Sequence, residues 1–514
     1  MPEPHIIPRP NLIQQMPGAF NLSQDSRISA DAGAEGVAEF LQDSLREGLR
    51  LSLMIGKRPS RGGIRLQIDR KATDLGSEGY LLDVSESEIL IRAHRAAGLF
   101  YGVQTLRQLL PTASFGSSPR TSEPVSVQCI RIEDAPRFQW RGMHLDVGRH
   151  FMPKEFIFRF IDLIALHKFN RFHWHLTEDQ GWRIEIKRYP RLTKRGAWRN
   201  DTMLTYDPPT FEGGPHGGYY TQDEIRDIVR YASERFVTIV PEIEMPGHSQ
   251  AAIASYPELG NTGDILPVAT RWGVIENVFN VEDETIEFPK GVLTEVLELF
   301  PGDFIHVGGD EVPKKQWQQS ESAQKRMRDL GLKDEHELQS WFIRQFDSWL
   351  AERGRRLIGW DEILEGGLAP GAAVMSWRGN QGGIAAAKAG HDVVMAPNTH
   401  TYFDYYQSQD RSKEPHAIGG FLPLEKVYSF EPVPPELSPA EAARILGAQG
   451  QIWTEYIRTP QHVEYMMFPR ACALAEVVWT KPERKNFSEF LVRLRTHLDR
   501  MREMGVNFRP LDAN

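Results

Sequence analysis

Apolar and polar positions alternate with the two-residue period of half-buried strands over Gly63–Arg70 (GIRLQIDR), Tyr80–Val84 and Glu88–Ala93. The period lengthens to the helical one across Ala96–Leu110 (AAGLFYGVQTLRQLL), where Leu99, Val103, Leu106 and Leu110 form a single stripe. A turn-rich stretch, Pro111–Pro124, and a closing strand, Val125–Ile132, follow. Strands with one covering helix predict a small α+β domain over residues 1–136. That stretch holds no catalytic constellation.

From Trp140 onward short β-like runs are separated by helical patterns. The runs are Trp140–Val147, Arg171–Leu176, Val237–Glu244, Phe304–Val307, Leu357–Trp360, Val374–Trp377, Val393–Met395 and Leu446–Trp453. Helical spacing marks Lys154–Lys168, Asp223–Phe236, Glu335–Glu352 and Ile384–Ala389. Strand–helix alternation implies βαβ units around a parallel sheet, and eight runs predict an α/β fold, a (β/α)8 TIM barrel over residues 137–514. A doubly wound open sheet is the rival, but the chain has neither glycine-rich phosphate loop that a nucleotide-binding version needs.

Composition narrows the function class. Sixty basic residues against 69 acidic ones leave a net charge of −9, the wrong sign for a protein that coats nucleic acid. No apolar run reaches the ~18 residues of a membrane span. The proline-punctuated start MPEPHIIPRPNLIQQMPGAF lacks the apolar core of a signal peptide, so a cytoplasmic location is expected, or secretion if a leader has been removed. Cys129 and Cys472, the two cysteines, exclude a disulfide scaffold and a cysteine-built zinc site and read as buried apolar side chains.

Chemistry gathers where the predicted strands end: Asp146/Arg149/His150, His173/His175/Asp179, Glu242/Glu244/His248, Asp310/Glu311, Trp360/Asp361/Glu362, Trp377/Arg378, His400/Tyr402/Asp404 and Trp453/Glu455. In a barrel these ends converge on one face, where barrel enzymes build their sites. In Phe304–Glu311 (FIHVGGDE), Gly308-Gly309 permits a tight turn, and two adjacent carboxylates follow. Extended neighbours point apart, so the pair is expected to address two atoms of one substrate. Trp360, Trp377 and Trp453 suggest a flat-walled apolar box suited to a sugar face or an N-acetyl methyl. His173-Trp174-His175 places two imidazoles on one side of a strand, as metallohydrolase barrels do, but lacks their later partners; a hydrogen-bonded structural role is expected, and no metal.

The segments WRGMHLDVGRHF (140–151), FHWHLTEDQGWR (172–183), PEIEMPGH (241–248), HVGGDE (306–311), Trp377-Arg378 and IWTE (452–455), in this order, resemble the family-20 glycoside hydrolases, the β-N-acetylhexosaminidases. The resemblance extends from about Gly98 to Trp479. It implies an exo-acting, cofactor-free enzyme that takes terminal non-reducing GlcNAc or GalNAc from a glycan and works by substrate-assisted retention through an oxazolinium intermediate. On that pattern Asp310 would hold the acetamide N–H, Glu311 would be acid and then base, and Tyr402 would aim the acetamide oxygen. Glu311 would then have to be protonated in the resting complex. Trp360, Trp377 and Trp453 would box the acetyl group and the sugar face. Arg149 and Glu455 would grip ring hydroxyls beside Asp404. Asp179 and His248 would complete the substrate-binding group as a pair tuning Glu311.

Gly148, Glu178, Glu244 and Phe403 depart from the residues common in the family without removing a catalytic group. Two other readings stay open: a metal-dependent hydrolase built around His173 and His175, and a catalytically silent sugar-binding module. A homodimer is one possible assembly.

Overall fold

Seven strands form one mixed sheet at the N-terminal end: β1 (Leu12–Leu22), β2 (Arg27–Ala30), β3 (Met54–Gly56), β4 (Ile64–Ile68), β5 (Tyr80–Val84), β6 (Ile89–Ala93) and β7 (Val125–Asp134). Their spatial order is β1-β7-β5-β6-β4-β2-β3, antiparallel from β1 to β6 and parallel from β6 to β3. The computed structural model describes residues 3–58, 62–116 and 125–511, so the end of the turn-rich stretch expected at Pro111–Pro124 lies outside the described residues.

Strands β4 to β7 and the helix over Ala96–Leu109 follow the periodicity. The pattern does not announce β1, β2, β3 or α1 (Glu35–Leu49). β1 carries Pro17-Gly18, and its register with β7 shifts between Gln15 and Ala19. Proline in a strand is tolerated at such an edge bulge, but in sequence it reads as a turn. The second helix, α2 (Ala96–Leu109), buries far more than its leucine stripe, including Phe100, Tyr101 and Gln104. It lies between the sheet and the barrel: a Cβ at Gly98 would stand 2.2 Å from the Gly79 carbonyl oxygen, and the Tyr101 and Trp479 rings meet at 5.2 Å.

Eight parallel strands then close a barrel in chain order: β8 (Trp140–Asp146), β9 (Arg171–His175), β10 (Thr238–Glu242), β11 (Phe304–His306), β12 (Arg356–Trp360), β13 (Ala373–Ser376), β14 (Val393–Met395) and β15 (Ile445–Gly450). Each falls within one residue of, or inside, an expected run. Helices at Lys154–Leu166, Gln222–Ser233, Glu335–Ala351 and Gln381–Lys388 occupy the expected crossovers. No helix among the described residues is long and apolar enough to cross a membrane.

The barrel interior is layered. Val240, Ile358, Ala373, Met375, Val394 and Leu446 pack with Trp140 and Trp360 as an apolar cluster separate from the outer core. A polar layer, His144, His173, Glu242, His306 and Gln449, is entirely buried among them. Glu242 makes this layer tenable: His175 Nδ1, His306 Nδ1 and His173 Nε2 lie 2.5, 2.8 and 2.9 Å from its carboxylate, and the Trp360 indole N–H donates to it at 2.8 Å. Its carboxyl stays well below the usual range, because these imidazoles outweigh the desolvation of burial.

The seam between sheet and barrel is also ionic. Asp134 Oδ2 accepts from Tyr80 Oη, Trp479 Nε1 and Lys168 Nζ at 2.8, 2.9 and 3.2 Å, and both charged side chains are fully buried. Removing one partner strands the other charge. Asp134→Ala is therefore expected to destabilise the protein by about 3–5 kcal/mol, seen as a lower denaturant midpoint; a midpoint unchanged from wild type would show that the seam does not depend on the pair.

Candidate active site

The C-terminal ends of the barrel strands surround a cavity of about 530 Å³. Arg149 enters it after β8, Asp310 and Glu311 after β11, and Trp360 at the end of β12. Trp377 follows β13, Tyr402 and Asp404 follow β14, and Trp453 and Glu455 follow β15. All the expected site residues except Asp179 and His248 line this cavity. Those two are buried behind its wall, where His248 stands between Asp179 and the acid pair.

Aromatic rings make the floor and one side. Trp360 and Trp453 meet at 5.6 Å between centroids, and Trp377 lies nearly parallel to Tyr402 at 6.1 Å and 20°. The Trp360 bond to Glu242 fixes the floor to the polar layer beneath. The acid pair lines the same cavity. Strand β11 ends at His306, and the chain then turns through Gly308 and Gly309 with φ of 67° and 88°. Gly308 is required there, since a Cβ would fall 1.7 Å from Glu244 Oε2.

Glu311 also takes a left-handed φ of 47°, and His248 one of 48°. For non-glycine residues this stores about 1–3 kcal/mol each, a strain typical of functional sites. The acid pair is therefore a turn, not an extended segment, and its carboxylates converge: His248 Nε2 lies 3.6 Å from Asp310 Oδ2 and 3.5 Å from Glu311 Oε2. They differ in exposure, with side chains 12% and 38% accessible.

On its other side His248 Nδ1 is 3.0 Å from Glu178 Oε1 and 3.2 Å from Asp179 Oδ2. Four carboxylates around one imidazole hold it cationic, far above its usual range despite burial. Glu178 also pairs with Arg149, which keeps the Glu178 carboxyl down at about 2. Asp310 moves the other way, to about 6, because burial and the charges of Glu242, Glu311 and Glu178 outweigh His248. Glu311, hydrogen-bonded by His248 and open to water, is held below the ordinary glutamate range. The proton that the resemblance places on Glu311 is that of the substrate complex, not of this open pocket. Glu244, whose carboxylate oxygens have no hydrogen-bond partner among the described residues, is pushed well above its range by burial and the neighbouring acids.

His173 and His175 do not reach the cavity. Both rings face Glu242 inside the barrel, and Gln449 Nε2 occupies His173 Nδ1 at 2.9 Å. His400 stacks on Phe430 away from the cavity, and His150 Nδ1 is 2.5 Å from the Thr454 carbonyl oxygen. A further buried group of metal-ligand types, His167, Cys472 and His497, is joined by hydrogen bonds: His167 Nδ1 donates to the Leu163 carbonyl at 2.7 Å and its Nε2 meets His497 Nε2 at 2.9 Å.

The family model of glycosyl hydrolase family 20, catalytic domain, matches residues 138–482, and that of the family's domain 2 matches residues 3–135. The chain belongs to glycoside hydrolase family 20. This hydrolase is 46% identical to a β-hexosaminidase of Porphyromonas gingivalis across 98% of its own length and 64% of that protein's. The GH20 β-N-acetylhexosaminidase structure from Streptomyces coelicolor A3(2) superposes with a TM-score of 0.87 at 31% identity, covering 99% of this chain and 98% of that one. A mutant Streptomyces plicatus β-hexosaminidase in complex with its product GlcNAc superposes equally well, TM-score 0.87 at 31% identity over 99% and 97% of the two chains.

The family-20 hydrolase also lines its cavity with residues that carried no signal in the sequence: Tyr206, Trp272, Val274, Tyr405, Ile418 and Tyr456. All six sit on loops, where no periodicity marks them. A second cavity, about 550 Å³, opens beside α1 and α2 where they meet the barrel, with Asp43, Glu47, Arg107 and Arg235 in its wall.

Proposed function

We propose that this family-20 hydrolase releases terminal non-reducing β-linked GlcNAc or GalNAc by retention, with the substrate's own 2-acetamido oxygen as the nucleophile. The observation that carries the reading is the shared lining: one buried and one accessible carboxylate on a strained turn, three indoles and the Tyr402 phenol around one cavity of about 530 Å³. The GlcNAc complex of the Streptomyces plicatus relative supports the same sugar here.

The acetamide carbonyl oxygen attacks C1 as the C1–aglycone bond breaks, and Glu311 delivers a proton to the departing oxygen. Asp310 accepts the acetamide N–H and stabilises the positive charge that grows on the oxazolinium ring. Tyr402 donates to the acetamide oxygen, fixing its line of approach between Trp377 and Trp453. Water then adds to C1 from the side the aglycone left, Glu311 recovers its proton and the ring reopens. Arg149, Asp404 and Glu455 take the ring hydroxyls. A sugar that displaces water from Glu311 and sets it against charged Asp310 raises its affinity for the proton, supplying the shift missing in the open pocket. The rim formed by Tyr206, Trp272 and Val274 faces the leaving group.

Turnover of aryl N-acetylglucosaminide, N-acetylgalactosaminide and glucoside tests the reading. The two acetamido substrates should react and the glucoside should be nearly inert, with a thiazoline analogue of the cyclic intermediate inhibiting far more tightly than free GlcNAc. Comparable rates on the glucoside, or an inverted product, would overturn it.

A further inference from the structure

Glu362 neither lines the pocket nor has a role in the chemistry above, yet it is buried at the pocket's edge with its side chain only 10% accessible. Its Oε2 accepts the Trp377 indole N–H at 2.9 Å. The preceding Asp361 holds the backbone of the same wall: its Oδ2 accepts from Trp377 N at 3.2 Å and Arg378 N at 3.3 Å, and its Oδ1 from Arg378 Nε at 2.7 Å. Two consecutive acids after β12 thus clamp the end of β13, one by the main chain and one by the indole.

Trp377 is only half-buried, lines the cavity beside the nearly parallel Tyr402 ring, and packs at the edge of the inner apolar cluster. The indole's single donor is given to Glu362, and that bond sets the rotation of the ring against the cluster. We propose that Glu362 is a positioning residue that presets the Trp377 wall, so that the acetyl slot between Trp377 and Tyr402 exists before the sugar arrives. The inference rests on the acetamide reading of the pocket.

The groups facing Glu362 are Asp310, Asp361, Arg378 and Lys314. Burial, and then the charge of Asp310, push its carboxyl up to about 8. At neutral pH it is therefore protonated, and its carbonyl oxygen accepts the indole N–H without adding a negative charge beside Asp310. Glutamine reproduces that state, whereas leucine and alanine abolish the acceptor.

In the full-length enzyme, Glu362→Leu or Glu362→Ala is expected to raise KM for an aryl N-acetylglucosaminide and the inhibition constant of the thiazoline about tenfold, with kcat within about threefold. Glu362→Gln should restore both constants to within about threefold of wild type. In a Trp377→Phe background, which has no indole N–H to hold, Glu362→Leu should add no further loss. Leucine and alanine are both made so that either soluble variant suffices; if neither is soluble, Trp377→Phe, which keeps a ring but has no N–H to donate, should raise KM and the inhibition constant in the same way, and wild-type constants in it would overturn the proposal. Equal impairment by Gln and by Leu or Ala, a loss in kcat alone, or an undiminished Glu362 effect in the Trp377→Phe background would overturn the proposal. The wild-type comparison of acetamido and 2-hydroxy substrates is read separately, so a failure of the functional reading is not mistaken for a failure of the tether.

Discussion

Glu311→Gln is expected to lower kcat/KM on an unactivated glycoside such as a GlcNAc disaccharide by about 10²–10⁴-fold, and on an aryl glycoside with a strongly acidic leaving phenol by far less. The asymmetry follows from the position of the carboxyl. Glu311 is the accessible member of the pair, on a left-handed turn beside His248, where it reaches an oxygen leaving the pocket and not one held within it. A sugar alkoxide needs the proton before it can depart, whereas a nitrophenolate does not. Glutamine keeps the size and the His248 contact but has no proton to give. Rates measured on both substrate types settle it: an equal loss on the two would remove Glu311 from the role of acid.

The barrel was legible because its strands are buried on both faces and read as short apolar runs, each ended by a polar cluster. Arg171–His175 and Val393–Met395 stood out despite being only a few residues long. The acid pair and the three indoles were legible for a related reason, since such residues have no business at the end of a core strand unless something meets them there. Glu242 misled in the opposite direction. In sequence it belongs with Glu244 and His248 at a strand end, but it points inward, where His173, His175, His306 and Trp360 surround it. The reach from β10 to three other strands is a property of barrel closure, and no local pattern contains it. Glu362 is similar: its partner Trp377 belongs to the next strand, and the pairing exists only once β12 and β13 lie side by side. The proton that the resemblance places on Glu311 belongs to the substrate complex, whereas the open pocket leaves that carboxyl in water beside a cation.

Asp310→Asn is expected to cost about 10²–10³-fold in kcat/KM on acetamido substrates, whatever the leaving group, and to weaken thiazoline binding in parallel. The independence from the leaving group is what separates it from Glu311: in the proposed reaction Asp310 acts on the acetamide nitrogen, whose charge grows with ring closure. Asparagine keeps the shape and can still accept the N–H, but offers no charge to the oxazolinium ion. The pH profile gives a second measure. Burial, reinforced by Glu242, Glu311 and Glu178 and opposed by His248, places the Asp310 carboxyl at about 6. The reactive form is the anion, so kcat/KM of the wild type should fall as pH drops through about 6. Asparagine cannot titrate, and the variant should lose that acidic limb while keeping whatever limbs belong to Glu311 and His248. An acidic limb near pH 6 that survives in Asp310→Asn would assign it to another group in the cluster, and with it the charge that stabilises the ring.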